Sequence, residues 1–390
     1  MAAADSREES LKSYLGLFFI AAFAAWLVTP AIAMLGRRLR AYGRSRERGE
    51  VICVPRLGGL AIVLAVLAGL AGLAWTPNGL RAALGGDWLR LGGFLVPGAV
   101  VLLVGLYDDV RGATPGQKLA VQMVAAAAAW WLGFRMNALP VLGFPIRSTA
   151  LSFLLTVVWI VAVTNAVNLL DGLDGLAVGV AFFVAISVFA VSLMQRDLLV
   201  SALAVILAGA LLGFLRFNSP PARIFLGDTG SLFLGCLFST LALAVARSAT
   251  PMARTVPYIA LGLPLLDMAL TMARRAIRGK ALFAADCDHV HHRLVAKKRG
   301  YRQAILTLYA VAAATSLGSI LILYLTGSRV VLGVLLAALG VWLVFGQLQY
   351  PEFGGLARGV SRLVSATLRP VVGLLLIREA GGPREPEVSK

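Results

Sequence analysis

The sequence predicts an all-α, polytopic integral membrane protein with about ten to eleven transmembrane helices, and three observations predict it. Of its 390 residues, 59% are hydrophobic and only 14% charged, with a mean hydropathy of +0.84. A soluble domain is nearer a quarter charged. Many apolar runs approach the roughly 20 residues that cross a bilayer as a helix. The polar residues between those runs gather into a few short motifs instead of spreading over a surface. A formal net charge of +17 suits basic loops facing anionic lipid, so membrane lipid and not nucleic acid is the expected partner.

In chain order, residues 1–13 form a polar N-terminal tail and 14–349 a multi-pass domain. Spans are expected at 14–35, 57–75, 93–107, 117–134, 150–168, 175–194, 198–216, 229–247, 255–273, 304–326 and 329–349. The first is too long and too weakly basic in front to read as a cleaved leader. The stretch 36–56 carries Arg37, Arg38, Arg40, Arg44, Arg46, Arg48 and Arg56, which places it in the cytoplasm and the N-terminus outside. Strict alternation then puts the loops 36–56, 108–116, 169–174, 217–228 and 274–303 on the cytoplasmic side. Every chemically suggestive motif falls in or beside one of these loops. Residues 350–390 form a basic amphipathic and partly disordered tail. Within it Arg358, Arg362 and Arg369 share one helical face to within about 40°. Cys53, Cys236 and Cys287 have no paired spacing, and Cys236 reads as a packing residue.

The densest polar stretch is Asn165-Ala166-Val167-Asn168-Leu169-Leu170-Asp171-Gly172-Leu173-Asp174-Gly175. The glycines predict that the helix breaks near Leu170 and the backbone turns. Two carboxylates at a membrane edge are costly unless they bind something, usually a cation. Asp108 and Asp109 end an earlier span and concentrate negative charge that Mg²⁺ or a neighbouring cation must offset. Lys118 opens the next span; it reads either as a phosphate ligand or as an interfacial residue snorkelling to water. Gly227-Asp228-Thr229-Gly230-Ser231 opens another span, where Asp228 is an N-cap or part of a phosphate cradle of backbone N–H groups. All three histidines, His289, His291 and His292, lie within four residues in a basic loop, followed by Arg293. One nearby thiol, Cys287, and no second Cys/His cluster argue against zinc. Carboxylates ringed by cations at one membrane face are the toolkit of phosphoryl transfer.

Taken together, these motifs resemble the polyprenyl-phosphate N-acetylhexosamine-1-phosphate transferases (glycosyltransferase family 4). The likeness rests on Pro55-Arg56-Leu57-Gly58-Gly59, Asp108-Asp109, Asn165 to Leu176, Gly227 to Ser231 and His289-Val290-His291-His292, in order over about 55–303. The Pro-Arg-x-Gly-Gly and His-x-His-His forms are similar to the WecA/TagO-type branch more than to the phospho-N-acetylmuramoyl-pentapeptide transferases, which are the alternative. Gly112 stands where a family pattern has a third acid, so no third carboxylate is counted there.

The resemblance implies a multi-pass enzyme of the bacterial inner membrane with a cytoplasmic active site. It would move an N-acetylhexosamine-1-phosphate, by default GlcNAc-1-phosphate, from a UDP-N-acetylhexosamine to undecaprenyl phosphate. The products would be UMP and an undecaprenyl-diphosphate-sugar, at the first membrane step of envelope polysaccharide synthesis. Mg²⁺ is the implied cofactor, with Mn²⁺ able to substitute. Asp228 matches its direct ligand and Asp171 lies beside it. Asp108, Asp109, Asp171, Asp228 and His289 match catalytic positions. Asp174 and Phe225 match positions that hold uracil. Asn168 matches one near the diphosphate, and Lys118, His291, His292 and Arg293 match substrate contacts. A homodimer is compatible with the resemblance. An ion-coupled transporter is the rival of another class, but its acids belong near the bilayer midplane at broken helices, whereas these lie at helix ends on one face.

Overall fold

The computed structural model describes residues 2–47, 50–75, 87–139, 144–248, 251–277 and 301–324. All belong to the first of two compact units, Met1–Gly340; the second is Val341–Lys390. The histidine loop, the span expected at 329–349 and the amphipathic tail lie outside the described residues.

Helix α1, Ala2–Arg38, starts inside the expected polar tail, so the first span continues an existing helix. Then come α2 (Gly58–Trp75), α3 (Trp88–Arg111), α4 (Pro115–Trp131), α5 (Thr149–Leu170), α6 (Leu176–Met194) and α7 (Leu198–Asn218). They are followed by α8 (Gly227–Ser248), α9 (Pro251–Ala260), α10 (Gly262–Ile277) and α11 (Tyr301–Tyr324). Eight of these are long and apolar enough to cross a bilayer, and the pair α9–α10, bent by 56°, can form a ninth span. Helix α4 has 17 residues, about 26 Å at 1.5 Å per residue, and is not among the eight. Each span expected before residue 325 is therefore a helix, or a bent pair of helices. The stretch 36–56 was expected to be a loop, and here the structure differs. It contains an antiparallel hairpin, β1 (Tyr42–Glu47) with β2 (Glu50–Pro55), in register from Tyr42 opposite Pro55 to Glu47 opposite Glu50. The run Val51-Ile52-Cys53-Val54 supplies the β-branched residues that favour it.

The helix ends are written in the sequence. Thr114 and Gln117 form a capping box with Pro115 at the first position of α4. Ser148 caps α5 and Asp197 caps α7 through side-chain oxygens that accept from Leu151 N–H and Val200 N–H. Gly175, at φ +78°, closes the turn before α6, a conformation that glycine adopts without a Cβ penalty.

Helix α8 is the pillar, packed by α2, α3, α5, α6 and α9, and its span is 94% buried. Glycines permit the closest approaches. A Cβ on Gly59 would strike the backbone of Gly230, and one on Gly105 would come within 2.5 Å of the Asp228 carbonyl. Helices α1 and α7 run parallel, Gly209 against Phe18 and Gly213 against Ala22. One end of the bundle gathers the Arg56–Phe225 bridge, Asp108, Lys118, Asn168, Asp174 and Asp228. At the other end Arg90 clasps Asp197 through both carboxylate oxygens, and Arg247 donates to the Gly133 carbonyl at 3.1 Å.

Candidate active site

The site forms around the first turn of α8. Gly227, at φ +73°, brings the chain into the helix, and a side chain there would strike the Asp109 carboxylate. The Asp109 side chain accepts from Asp228 N–H at 3.0 Å, Thr229 N–H at 2.9 Å and the Thr229 hydroxyl at 2.6 Å. A residue 119 positions earlier thus supplies the N-cap of α8. Asp109 is buried, 6% exposed, and its first task is to fix the Asp228 turn.

The Asp228 side chain, not needed for that cap, takes other partners. Its carboxylate meets Lys118 Nζ at 2.8 Å and accepts from Asn168 Nδ2 at 3.2 Å. Asn168 also donates to Ser231 Oγ at 2.8 Å, which orients the amide. Lys118 Nζ reaches Asp108 Oδ1 as well, at 3.3 Å, and the same oxygen accepts from Ala113 N–H at 2.8 Å. The interfacial reading of Lys118 therefore fails: the side chain turns inward, because two carboxylates hold it there. Gly112, at φ +80°, ends α3 beside them, and that backbone conformation disfavours any residue with a side chain, the third acid of a family pattern included.

One ligand oxygen from each of Asp108, Asp109 and Asp228 lies within 4.8 Å of the others. Three hard oxygen donors at this spacing suit Mg²⁺ or Mn²⁺, and the inward lysine marks the place as one that draws positive charge. Asp171, the C-cap of α5, lies in the loop facing this group. Burial, then the nearby charges of Asp228 and Asp109, raises its pKa well above the usual carboxylate range; the Arg56 guanidinium and the Gly227 N–H oppose the rise.

The expected nucleotide residues flank the acids. Asp174 Oδ2 accepts from Ala222 N–H at 3.0 Å, tying the Asp171–Asp174 loop to the segment that carries Phe225. Phe225 is set by a strand-like backbone zipper. Its N–H donates to the Pro55 carbonyl at 2.8 Å, and its carbonyl accepts from Gly58 N–H at 2.9 Å. Gly59 N–H adds a bond to the Leu226 carbonyl at 2.9 Å. The ring packs on Gly43 of the hairpin, with Arg56 alongside.

Asp108, Asp109, Lys118, Asn168, Asp171 and Asp228 thus come together, with Asp174 and Phe225 at the border. His289, His291, His292 and Arg293 lie outside the described residues. Two supporting residues had no sequence signal. Gln122 Oε1 accepts from Asn165 Nδ2 at 2.6 Å. Tyr309, on α11, donates its hydroxyl to the Gly175 carbonyl at 2.7 Å and covers Gly179.

A sequence model described as glycosyl transferase family 4 matches residues 91–246. A Bacillus subtilis protein named probable undecaprenyl-phosphate N-acetylglucosaminyl 1-phosphate transferase is 31% identical over 310 residues, 78% of this chain and 84% of the relative. A Mycobacterium tuberculosis decaprenyl-phosphate N-acetylglucosaminephosphotransferase is 33% identical over 329 residues, 77% and 80% of the two chains. A phospho-N-acetylmuramoyl-pentapeptide-transferase of Heliobacterium modesticaldum is 32% identical over 304 residues, 71% and 88%. With the acids, the lysine and the glycine-led turn of α8 in place at one end of a helical membrane bundle, the chain belongs to glycosyl transferase family 4.

Proposed function

We propose that this protein transfers N-acetylglucosamine-1-phosphate from UDP-GlcNAc to undecaprenyl phosphate, releasing UMP and leaving undecaprenyl-diphosphate-GlcNAc. The observation that carries this reading is the inward Lys118 between Asp108 and Asp228 at the head of α8. That grouping suits phosphates brought in beside a divalent cation. The relatives named as polyprenyl-phosphate N-acetylglucosamine phosphotransferases support the sugar and the lipid.

The reaction forms a bond from a lipid phosphate oxygen to the β-phosphorus of the donor and breaks the bond to the UMP oxygen. A phosphate monoester has its second pKa near ~6, so the acceptor is already largely dianionic at neutral pH. The protein's work is positioning and charge neutralisation. Asp228, with Asp108, Asp109 and Asp171 around it, would hold Mg²⁺, which would supply Lewis acidity and offset the diphosphate charge. Lys118 neutralises phosphate oxygens, and Asn168 orients Asp228 and lies within reach of the diphosphate. Phe225 offers a face to uracil and Asp174 an acceptor. His289, His291, His292 and Arg293 bring positive or hydrogen-bonding groups to diphosphate and sugar. The active side is cytoplasmic, the N-terminus external, and the membrane the bacterial inner membrane; a homodimer is compatible with this arrangement.

The test is UMP release by purified protein in detergent, with undecaprenyl phosphate, Mg²⁺ or Mn²⁺ and a panel of UDP-sugars. Release with UDP-GlcNAc that requires lipid and metal and is lost in Asp228→Ala supports the proposal. Release only with UDP-N-acetylmuramoyl-pentapeptide replaces it with the peptidoglycan reaction. No release from folded protein with any donor overturns it.

A further inference from the structure

Away from the acids, α1 and α7 enclose a notch of about 330 Å³ lined by Trp26, Leu27, Pro30, Arg216, Phe217 and Arg223. Its place follows from the parallel register of the two helices. Ala22 faces Gly213, so one turn on Trp26 stands level with Phe217, and α7 stops at Asn218 while α1 continues to Arg38. The notch opens where α7 gives way beside a longer neighbour.

Its two walls differ in chemistry. Trp26 and Leu27 are 50% and 60% exposed and continue the outward apolar face of Phe19 and Phe23, the face a spanning helix turns to lipid. Arg216, in the last turn of α7, and Arg223 are exposed. Among the described residues neither guanidinium meets a carboxylate within 4 Å. Arginine pairs bidentately with phosphate oxygens, and the apolar wall beside them suits acyl chain, not water.

We propose that this notch binds one anionic phospholipid, the phosphodiester between Arg216 and Arg223 and an acyl chain along Trp26 and Leu27. A soluble anion would leave the apolar wall bare, and a zwitterionic lipid would set its own cation against the two arginines. Arg223 lies two residues from Phe225, and its N–H donates to the Phe217 carbonyl at 2.8 Å. The bound headgroup therefore braces the segment that presents Phe225.

The experiment is native mass spectrometry of the full chain, released from mixed micelles holding phosphatidylglycerol and phosphatidylcholine of the same acyl chains. One phosphatidylglycerol should be retained per chain with a preference of roughly 30-fold, each basic group contributing about fivefold. Arg216→Gln with Arg223→Gln should abolish the preference, whereas Arg37→Gln with Arg38→Gln, equal in charge lost, should keep it. Leu27→Trp fills the notch without changing charge and should also lose the lipid, which covers the case where the double variant fails to fold. Equal retention of the two lipids, or equal loss in both arginine pairs, overturns the site. Displacement of phosphatidylglycerol by stoichiometric undecaprenyl phosphate overturns it too, by giving the notch to the acceptor substrate.

Discussion

The carboxylate of Asp109 receives the backbone N–H of Asp228 at 3.0 Å, joining the end of α3 to the start of α8 across 119 residues. Neighbours in sequence, Asp108 and Asp109 therefore do different work: one pairs with Lys118, the other holds the turn.

That division is measurable. Asp109→Asn keeps the shape but turns a donor toward N–H groups that need an acceptor, costing about 1–3 kcal/mol of stability. Asp108→Asn should cost clearly less. Thermal unfolding in detergent, run beside UMP release, should show both variants slow and only Asp109→Asn markedly less stable.

Asp108→Asn also tests for a base. With an acceptor phosphate already dianionic, the slow rate should stay slow at high pH. A rate that returns fully at pH 9–10 would mean hydroxide replaces a missing general base.

Lys118→Met removes an ammonium that touches both Asp108 and Asp228. The uncompensated acids should bind Mg²⁺ more tightly, while turnover falls roughly 100-fold for loss of a charge-neutralising donor. A Mg²⁺ titration of activity reads both; an unchanged titration curve would return Lys118 to a mere interfacial role.

Asp171 gives the metal-free protein a pH dependence of definite sign. Its pKa is raised in the fold, by burial first, so the folded state holds a proton the unfolded chain releases near pH ~4. The stability from this proton is complete below that value and is lost as pH rises through the folded value. In EDTA the melting temperature should therefore fall across this window, and Asp171→Asn should flatten the slope. Mg²⁺ should flatten it too, by stabilising the ionised form.

Tyr309→Phe deletes the hydroxyl that holds the Gly175 carbonyl. The loop bearing Asp171 and Asp174 loses one tether, worth about 1 kcal/mol. KM for UDP-GlcNAc should rise several-fold with little change in kcat, which steady-state UMP release separates.

Much of this arrangement was legible because membrane helices announce themselves. Apolar runs fixed the helices, and Gly172 and Gly175 marked the break after Leu170. What the sequence withheld was pairing. Nothing local tells Lys118 to turn toward Asp228, 110 residues on, rather than toward water. Nor does any local pattern show that Asp109 caps a distant helix or that Tyr309 tethers Gly175. The hairpin at 42–55 was hidden for another reason: its arginines read as a cytoplasmic loop, while the β-branched run that pairs is only a few residues long.

The zipper between Pro55–Gly59 and Phe225–Leu226 is made of main-chain groups alone. The hydrogen bonds of such a rail do not themselves depend on the side chain it carries. On the proposed role of Phe225, a lineage could exchange the residue at 225, and with it the base it would greet, while the acids nearby keep their alignment. Donor choice can thus drift in evolution without the chemistry being rebuilt.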